Sequence, residues 1–419
     1  LPGRRARILA VKTTLPLDEF PGANPLVRDY ATNFERVRPW FHYDPHGEDS
    51  LALRIEELSG RPGAERRAAG EAVVRQSGDW GAGPEALEAA GRLGQPGTLT
   101  IVTGQQAGLF GGPLYAVLKA LSAVKLARQL EHRFPGQTFV PTFWISSGDS
   151  DYEEVRSASF IAQDGSLADL ELAPADEADE SLVIGARKPG DEIQALMNEL
   201  AEMLPGGESR ATVLEYAEQA YSGGTMVDGF ARWMLRLFAG TKLVLIDPQD
   251  PALMAYASGL IQRELSDGAA CESALLERSR AIADAGYPVQ VEHPAGDTNL
   301  FLLDGTGRRQ KIGRRGKGFV LRPSGRELPA GELSEQAEDA PQSFICGVML
   351  RPVYQNVLFP PAAFVGGAAE LAYRAQATAL FDFHGEKMAP AFLRASATLL
   401  SAKQAQLLDE LGWQLADCY

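Results

Sequence analysis

The sequence predicts an α/β protein built on a doubly wound parallel sheet, and three observations support this prediction. A β-branched run at residues 98–103 breaks at a glycine and is followed by a helical pattern over 113–132. A second apolar run at 138–145 completes one βαβ unit, whose two strands should be parallel. A third buried run, 243–246, follows another helical pattern at 226–238 and ends in Asp-Pro.

Two other stretches interrupt this pattern and predict insertions. Residues 163–180 are acidic and contain proline, which is typical of an exposed segment. Residues 299–322 alternate apolar and polar side chains around several glycines, which predicts β-hairpins. From 349 to 400 the α/β pattern returns. We therefore expect a doubly wound core with two insertions.

Composition limits the function classes. The chain has 419 residues, and its net charge of −15 argues against general nucleic-acid binding, which needs a basic surface. Its three cysteines are far apart and form no C-x-x-C, so we expect neither a disulfide framework nor a cysteine zinc site. The five histidines lack metal-ligand spacing, so we expect no metal. We see no membrane span or export signal and expect a cytoplasmic protein.

The turn after the first strand is the strongest candidate for a ligand site. It contains Gly104, Gly108, Gly111, Gly112 and the adjacent Gln105 and Gln106, and the helix restarts at Pro113. Such a junction aims free N–H groups at an anion. The spacing matches neither a Walker A motif nor G-x-G-x-x-G, so a phosphate or carboxylate site and a purely structural turn both remain open. We expect the N–H groups of 104–112 to face an open cleft.

Four carboxylates follow the second strand: Asp149, Asp151, Glu153 and Glu154. They could order a metal ion or accept a proton from an attacking amine. Alternatively, Ser150 and Glu153 match the capping box of a helix start, which the spacing alone favours. Because neighbouring parallel strands end at the same edge of a sheet, we expect Asp149 and Asp151 within about 10 Å of the glycine turn.

A basic run lies in the hairpin region. It could contact phosphates, although a solvated hairpin is the more common structure for such a run. Its members are Arg308, Arg309, Lys311, Arg314, Arg315 and Lys317.

Several segments together resemble the bacillithiol synthase family, the cysteine ligases of bacillithiol biosynthesis. The resemblance extends from about residue 15 to the C-terminus, in family order and near family spacing. It rests on NPLVRDYATNFERVRPWF (24–41), VTGQQAGLFGGPLY (102–115), VPTFWISSGDSDYEEV (140–155), RLFAGTKLVLIDP (236–248), GYPVQV (286–291), NLFLLD (299–304), LRPVYQNVLFP (350–360) and VGGAAELAYRAQ (365–376). GQQAGL followed by GPLY is the most specific of these motifs.

The resemblance implies a Rossmann-like core related to class I aminoacyl-tRNA synthetases, with two inserted connecting segments and a C-terminal coiled coil that dimerises. The implied layout is an unmatched segment at 1–14, core at 15–159, an acidic helical insertion at 160–225, core at 226–285, a β-rich insertion at 286–345, core at 346–400 and the start of a C-terminal helix at 401–419. The coiled coil is thus absent or only begun here.

The implied reaction is the last step of bacillithiol synthesis, in which cysteine is joined to glucosaminyl malate through an amide bond. The kinship with tRNA synthetases implies that ATP activates the carboxylate, with the nucleotide over the glycine turn. The implied partners are these small molecules and a second copy of the chain, without nucleic acid or membrane. A ligase for another amine acceptor, or an impaired paralogue that binds nucleotide or a partner protein, remains an alternative.

The resemblance also implies the site residues. Asp149 and Asp151 would be catalytic, with no metal. Nucleotide and substrates would contact Gly104, Gln105, Gln106, Gly108, Gly111, Gly112, Pro113, Tyr115, Trp144, Ser150, Arg351, Gln355, Gly366, Gly367, Glu370 and Tyr373. On this basis we expect Gly112→Val to cripple ligand binding with a modest loss of stability.

The sequence departs from the family pattern beside the implied catalytic residues. The family usually has Glu-Asp-His-Asp where this chain has Gly148, Asp149, Ser150 and Asp151. Histidine is the side chain best suited to moving protons near neutral pH, so its replacement keeps the impaired paralogue open. Four other positions differ from the usual family residue: Gly347 for Asn, Asn356 for an acid, Ala368 for Pro and Arg374 for an aromatic.

Overall fold

The computed structural model describes residues 14–17, 22–47, 49–59 and 66–418. The unmatched segment expected at 1–14 lies outside this part of the chain, except for its last residue. The strands are β1 Thr98–Gln105, β2 Thr138–Ile145, β3 Ser157–Ile161, β4 Leu167–Glu171, β5 Val244–Ile246, β6 Asp297–Leu303, β7 Arg309–Arg315, β8 Gly318–Arg322, β9 Glu327–Pro329, β10 Phe344–Cys346, β11 Pro361–Gly366 and β12 Ala391–Leu393.

Helices surround these strands. The α-helices are α1 Pro25–Thr32, α2 Ser50–Ser59, α3 Arg67–Asp79, α4 Pro84–Leu93, α5 Leu114–Arg133, α6 Glu192–Met203, α7 Glu208–Ala220, α8 Met226–Leu237, α9 Pro251–Met254, α10 Ser258–Ser266, α11 Gly268–Asp284, α12 Ala330–Asp339, α13 Arg351–Leu358, α14 Ala368–His384 and α15 Ala402–Leu411.

The core is a five-stranded sheet in the order β12-β11-β1-β2-β5, and every neighbouring pair is parallel. This confirms the predicted βαβ unit and the Rossmann-like α/β fold. Apolar side chains pack on both faces: Val102 and Val140 belong to one core cluster, while Ile101 and Phe139 belong to another. A sheet covered on both faces explains why its strands appear as continuous apolar runs.

Helix α5 packs on the sheet through a face that only partly follows its apolar pattern. Residues 114, 117, 118, 121, 124, 125 and 127 recur every three to four positions and predict one buried stripe. Val124 and Ala127 of this stripe are buried, but Leu114 and Leu121 are 49% and 50% exposed. The buried face otherwise consists of small residues and one charge, with Ala116, Lys119 and Ala120 all fully or almost fully buried. Small side chains let a helix approach closely, and that closeness buries Lys119 at the edge of the sheet.

The first insertion begins with a hairpin instead of a helix. The helix start that Ser150 and Glu153 suggested is wrong: residues 153–155 form a turn, and the antiparallel pair β3 and β4 follows. The predicted exposed stretch at 163–180 therefore contains β4, although Leu167 is 72% exposed. Helices α6 and α7 complete this region before α8 returns to the core sheet through β5.

The second insertion is a sheet of its own, which confirms the predicted hairpins. Its strand order is β10-β6-β7-β8-β9, with antiparallel pairing throughout. Helix α13, β11, α14 and β12 then return the chain to the core. The described chain ends with the ten-residue α15 and a short 3-10 turn, without an extended coiled coil. Among the described helices, none is long and apolar enough to cross a membrane.

Candidate active site

A cleft lies at the edge of the core sheet where β1, β2 and β11 reach their C-terminal ends, the usual ligand position in open α/β sheets. Its cavity volume is about 160 Å³. The residues that line it come from five parts of the fold: Gly104, Gln105, Gln106, Trp144, Ser146, Asp149, Glu154, Val348, Arg351, Pro352, Gln355, Phe364, Glu370 and Tyr373. Seven of these side chains carry charge or amide groups, so the cleft is polar.

Lys119 is the buried cation behind this cleft. Its Nζ donates to the Gly104 carbonyl at 3.0 Å and to Gln105 Oε1 at 2.7 Å. It also forms a 2.6 Å ion pair with Glu370, whose other role is to cap helix α14 through the Gly367 N–H. Lys119 thereby joins the end of β1 to the start of α14 and fixes the Gln105 amide in the cleft.

Gln105 in turn directs its amide at Glu154. The Gln105 Nε2 donates to Glu154 Oε1 at 3.2 Å. Glu154 is solvent-exposed at the open side of the cleft, and within the described residues it forms no ion pair. Partial burial raises the pKa of Glu154, and the carboxylates of Asp151 and Asp149 add to the rise. A carboxylate with a raised pKa at a cleft is a candidate proton acceptor.

Asp149 also lines the cleft and lies between two arginines. Its carboxylate is 3.1 Å from Arg351 Nη2 and 3.2 Å from Arg309 Nη1. Burial would raise the pKa of Asp149, but the two guanidinium groups outweigh burial and lower it. Arg351 also donates to Ser146 Oγ at 2.8 Å. Asp149 therefore holds the arginines in place and is a weak proton acceptor.

Asp151 lies beside the cleft and is exposed. Its Oδ1 accepts the Glu154 N–H at 3.3 Å, so it caps the turn that presents Glu154. Within the described part of the chain, Asp151 therefore supports the turn that carries Glu154.

The far half of the glycine turn is closed, contrary to the expectation that its N–H groups face a cleft. The N–H of Leu109 donates to the Val155 carbonyl at 2.9 Å, and that of Phe110 donates to the Tyr221 hydroxyl at 2.7 Å. Gly108, Gly111 and Gly112 donate to carbonyls within the turn, to Gln106, Gly108 and Leu109 respectively. A Cβ at Gly111 would lie 2.8 Å from the Trp233 ring, so this half packs against α8.

This packing also decides how well the turn fits a nucleotide. A phosphate cradle needs free backbone N–H groups, and those of 108–112 are already bonded within the protein. The near half, Gly104 to Gln106, faces the cleft but beside the carboxylates of Glu154 and Glu370. The far half of the turn therefore does not fit a triphosphate.

The start of α14 and the adjoining α13 form the last wall. Gly366 ends β11, where a Cβ would lie 2.4 Å from the Phe364 ring, so glycine is needed for close approach. Burial raises the pKa of Tyr373 to about 12, which keeps this phenol protonated. The guanidinium of the buried Arg374, also in α14, lies 3.4 Å from the centroid of the Phe364 ring.

The comparisons with known proteins agree with this architecture. The sequence matches the family described as "Bacillithiol biosynthesis BshC, N-terminal Rossmann-like domain" over residues 12–395. The chain belongs to this family. A protein of Salinibacter ruber named "Putative cysteine ligase BshC" is 32% identical over 399 residues, covering 94% of this chain and 72% of that protein. A protein of the same name from Koribacter versatilis is 34% identical, with 96% and 73% covered.

The structure places many of the expected BshC-family site residues in the cleft wall and others outside it. The wall contains Gly104, Gln105, Gln106, Trp144, Asp149, Arg351, Gln355, Glu370 and Tyr373. Outside the wall lie Gly108, Gly111, Gly112, Pro113, Tyr115, Ser150, Asp151, Gly366 and Gly367. Of the latter group, Tyr115 remains close: burial raises the pKa of its phenol, with Glu154 and Glu370 adding to the rise.

Gly148, where the family resemblance implies a glutamate, is closely packed against the inserted sheet. A Cβ at Gly148 would lie 2.8 Å from Ile345 of β10, so a larger side chain requires Ile345 to move.

Sequence reasoning missed Lys119, Arg309, Ser146 and the role of Glu154. A signal for Lys119 was available, since it is a lysine among small residues on one helix face. Arg309 had been placed in a hairpin expected to be solvated, yet its side chain is only 20% exposed and reaches the Gly148 carbonyl at 3.0 Å. Its contact with the cleft depends on the docking of the second insertion, which no local pattern encodes.

Proposed function

We propose that this chain is a cysteine ligase that acts at the cleft. Its reaction would be the last step of bacillithiol synthesis, joining cysteine to glucosaminyl malate through an amide bond. Membership of the BshC family and the names of the relatives support this proposal. The position of the cleft at the C-terminal edge of the parallel sheet supports it independently.

The observation that carries the proposal is the Glu154 carboxylate. It is exposed at the cleft, accepts a hydrogen bond from the neutral Gln105 amide and forms no ion pair in the described residues, since the nearby Lys119 pairs with Glu370 instead. An ammonium group is its natural complement, and both cysteine and an amino sugar carry one. Asp149, by contrast, is already neutralised by Arg351 and Arg309.

The chemistry gives Glu154 a definite task. When the acceptor amine bonds to the carbonyl carbon of cysteine, its nitrogen must lose a proton, and the activating group on that carbon must leave. Glu154 accepts the proton, because its raised pKa places it nearer the working range of a base than an ordinary carboxylate. The cysteine carboxylate must be activated before this step, because an amide does not form from a bare carboxylate and an amine in water.

The test is amide formation by the purified chain from cysteine and glucosaminyl malate, with and without ATP, followed by mass spectrometry of the product. We expect Glu154→Gln to lower kcat by about 100-fold or more with an unchanged fold. Glu153→Gln is the matched control. Glu153 is exposed, does not line the cleft, and forms a 2.7 Å ion pair with Arg156. A wild-type rate in the Glu154 variant, or no product under any condition, would refute the proposal.

A second candidate is a diverged BshC paralogue that binds substrate without joining it. The observation in its favour is the Gly148 position, where Ile345 occupies the space that a longer side chain would need. Calorimetry separates the two candidates. The paralogue would be favoured if cysteine binds, if Glu154→Gln weakens this binding, and if no assay yields the amide product.

A further inference from the structure

We propose that Arg309 and Lys311 form an anion-binding subsite on the inserted sheet, which takes the carboxylate end of an acidic co-substrate while its amine lies in the cleft. The inference rests on the proposed function, which it extends by naming the residues that would hold the carboxylates of the acceptor. It concerns the basic run 308–317, which the family resemblance left without a role.

The two cations share one aromatic ring. The Arg309 guanidinium carbon lies 4.6 Å from the centroid of the Phe301 ring, and Lys311 Nζ lies 4.4 Å from the same centroid. Arg309 and Lys311 are two residues apart in β7, and Lys311 pairs directly with Phe301 of β6. All three side chains therefore lie on one face of the inserted sheet.

That face adjoins the cleft. Arg309 Nη1 donates to the Gly148 carbonyl at 3.0 Å and to Asp149 Oδ1 at 3.2 Å, and Asp149 lines the cleft. Lys311 lies about 7 Å further along the strand, by the spacing of two residues. A molecule with an amine at one end and carboxylates at the other could span this distance.

Lys311 differs from the four arginines of the basic run because it lacks an acceptor, and it differs from the exposed Lys317 because it is partly buried. Arg308 pairs with Asp179, Arg314 with Glu272, and Arg315 with Glu327. Lys311 is half-buried, and within the described residues its ammonium forms neither a hydrogen bond nor an ion pair. A partly buried cation without a partner is costly, and an incoming anion would relieve that cost.

The surroundings of Lys311 favour this interpretation. The carboxylate nearest to Lys311 is that of Glu264. It already accepts hydrogen bonds from the Asn299 backbone N–H at 2.6 Å and from the Cys271 thiol at 2.9 Å. Burial lowers the pKa of Lys311 to about 8, with Glu264 opposing and Arg309 adding to the decrease. Lys311 therefore still carries a proton at neutral pH and can attract an anion.

The experiment measures binding of L-malate, and separately of inorganic phosphate, to the full chain by titration calorimetry. We expect malate to bind, and Lys311→Met to weaken it about tenfold, since a charged hydrogen bond is lost while the aliphatic stem against Phe301 is kept. Lys311→Arg should retain affinity. Lys317→Met is the matched control, because Lys317 is exposed in the turn between β7 and β8. Thermal unfolding of each variant checks that it is folded.

The outcomes distinguish this inference from the proposed function, because malate has no amine to ligate. Malate binding that depends on Lys311, even in a protein without ligase activity, supports the subsite. Equal malate affinity in wild type and Lys311→Met overturns it, as does ligation with an unchanged acceptor KM in that variant. Phosphate binding that depends on Lys311, without malate binding, also overturns it and points to a nucleotide phosphate instead.

Discussion

At the scale of single residues, the most informative side chain is Lys119. It is only 3% exposed, yet it satisfies three acceptors from two separate parts of the chain, namely Gly104, Gln105 and Glu370. A buried ion pair contributes little net stability by itself, but removing one partner leaves the other charge uncompensated. Lys119 therefore both stabilises the sheet edge and positions the cleft amide.

We expect Lys119→Met to lower the free energy of unfolding by about 3 kcal/mol, because Glu370 is left without its cation. Urea denaturation measures this change. Lys125→Met on the same helix is the control, since Lys125 is exposed and should change stability little. The double variant Lys119→Met with Glu370→Gln should recover part of the loss. A single variant as stable as wild type would contradict this account.

Lys119 also shows why the site residues were harder to predict than the fold. Helical periodicity identified α5, but the burial of a lysine depends on Glu370, which lies more than two hundred residues later. Asp149 is a similar case: its sequence neighbours suggested a proton acceptor, whereas Arg351 and Arg309 hold its pKa low. Local patterns predict which elements form, and partners distant in the chain determine the charge state of each group.

At the scale of elements, the strand, glycine turn and helix were all predicted, yet the far half of the turn, 108–112, is closed. Its packing partners are Val155, Tyr221 and Trp233, which come from the first insertion and α8. Glycine at 112 is needed because φ is +68°, a region that other residues rarely adopt. The glycines thus serve the close packing of the turn rather than an open cradle.

This closure changes what we expect from Gly112→Val. The substitution should cost roughly 2 kcal/mol of stability through the positive φ, with cysteine binding affected less than stability. Thermal unfolding and calorimetry with cysteine measure the two effects. Gly91→Ala is the control, because an added Cβ at this position in α4 would meet no other atom within 4 Å, and the substitution should be neutral or slightly stabilising. Lost binding with unchanged stability would restore the original expectation.

At the scale of the whole molecule, Asp149 connects three separate regions. It follows core strand β2, and its carboxylate binds Arg309 of the inserted sheet and Arg351 at the start of α13. Arg351 in turn reaches Ser146. This network fixes the inserted sheet against the core at the cleft, so the geometry of the site depends on one ionised carboxylate.

The consequence is a stability that depends on pH. Because the two arginines lower the pKa of Asp149 in the folded protein, its stabilisation is complete above the usual aspartate pKa of about 3.9 and is lost as pH falls through the lowered value. We expect Asp149→Asn to cost about 2 kcal/mol at pH 7, because it leaves two partly buried arginines without a counter-charge.

Urea denaturation of both proteins between pH 7 and pH 3 measures this. The difference between wild type and Asp149→Asn should be constant near neutral pH and shrink below about pH 4, where the Asp149 carboxylate takes up a proton first in the unfolded chain and then, at lower pH, in the folded protein. Asp151→Asn is the control: Asp151 is exposed and only caps a turn, so its effect should be small throughout. A difference that persists unchanged at pH 3 would mean that packing, rather than the charge on Asp149, holds the inserted sheet at the cleft.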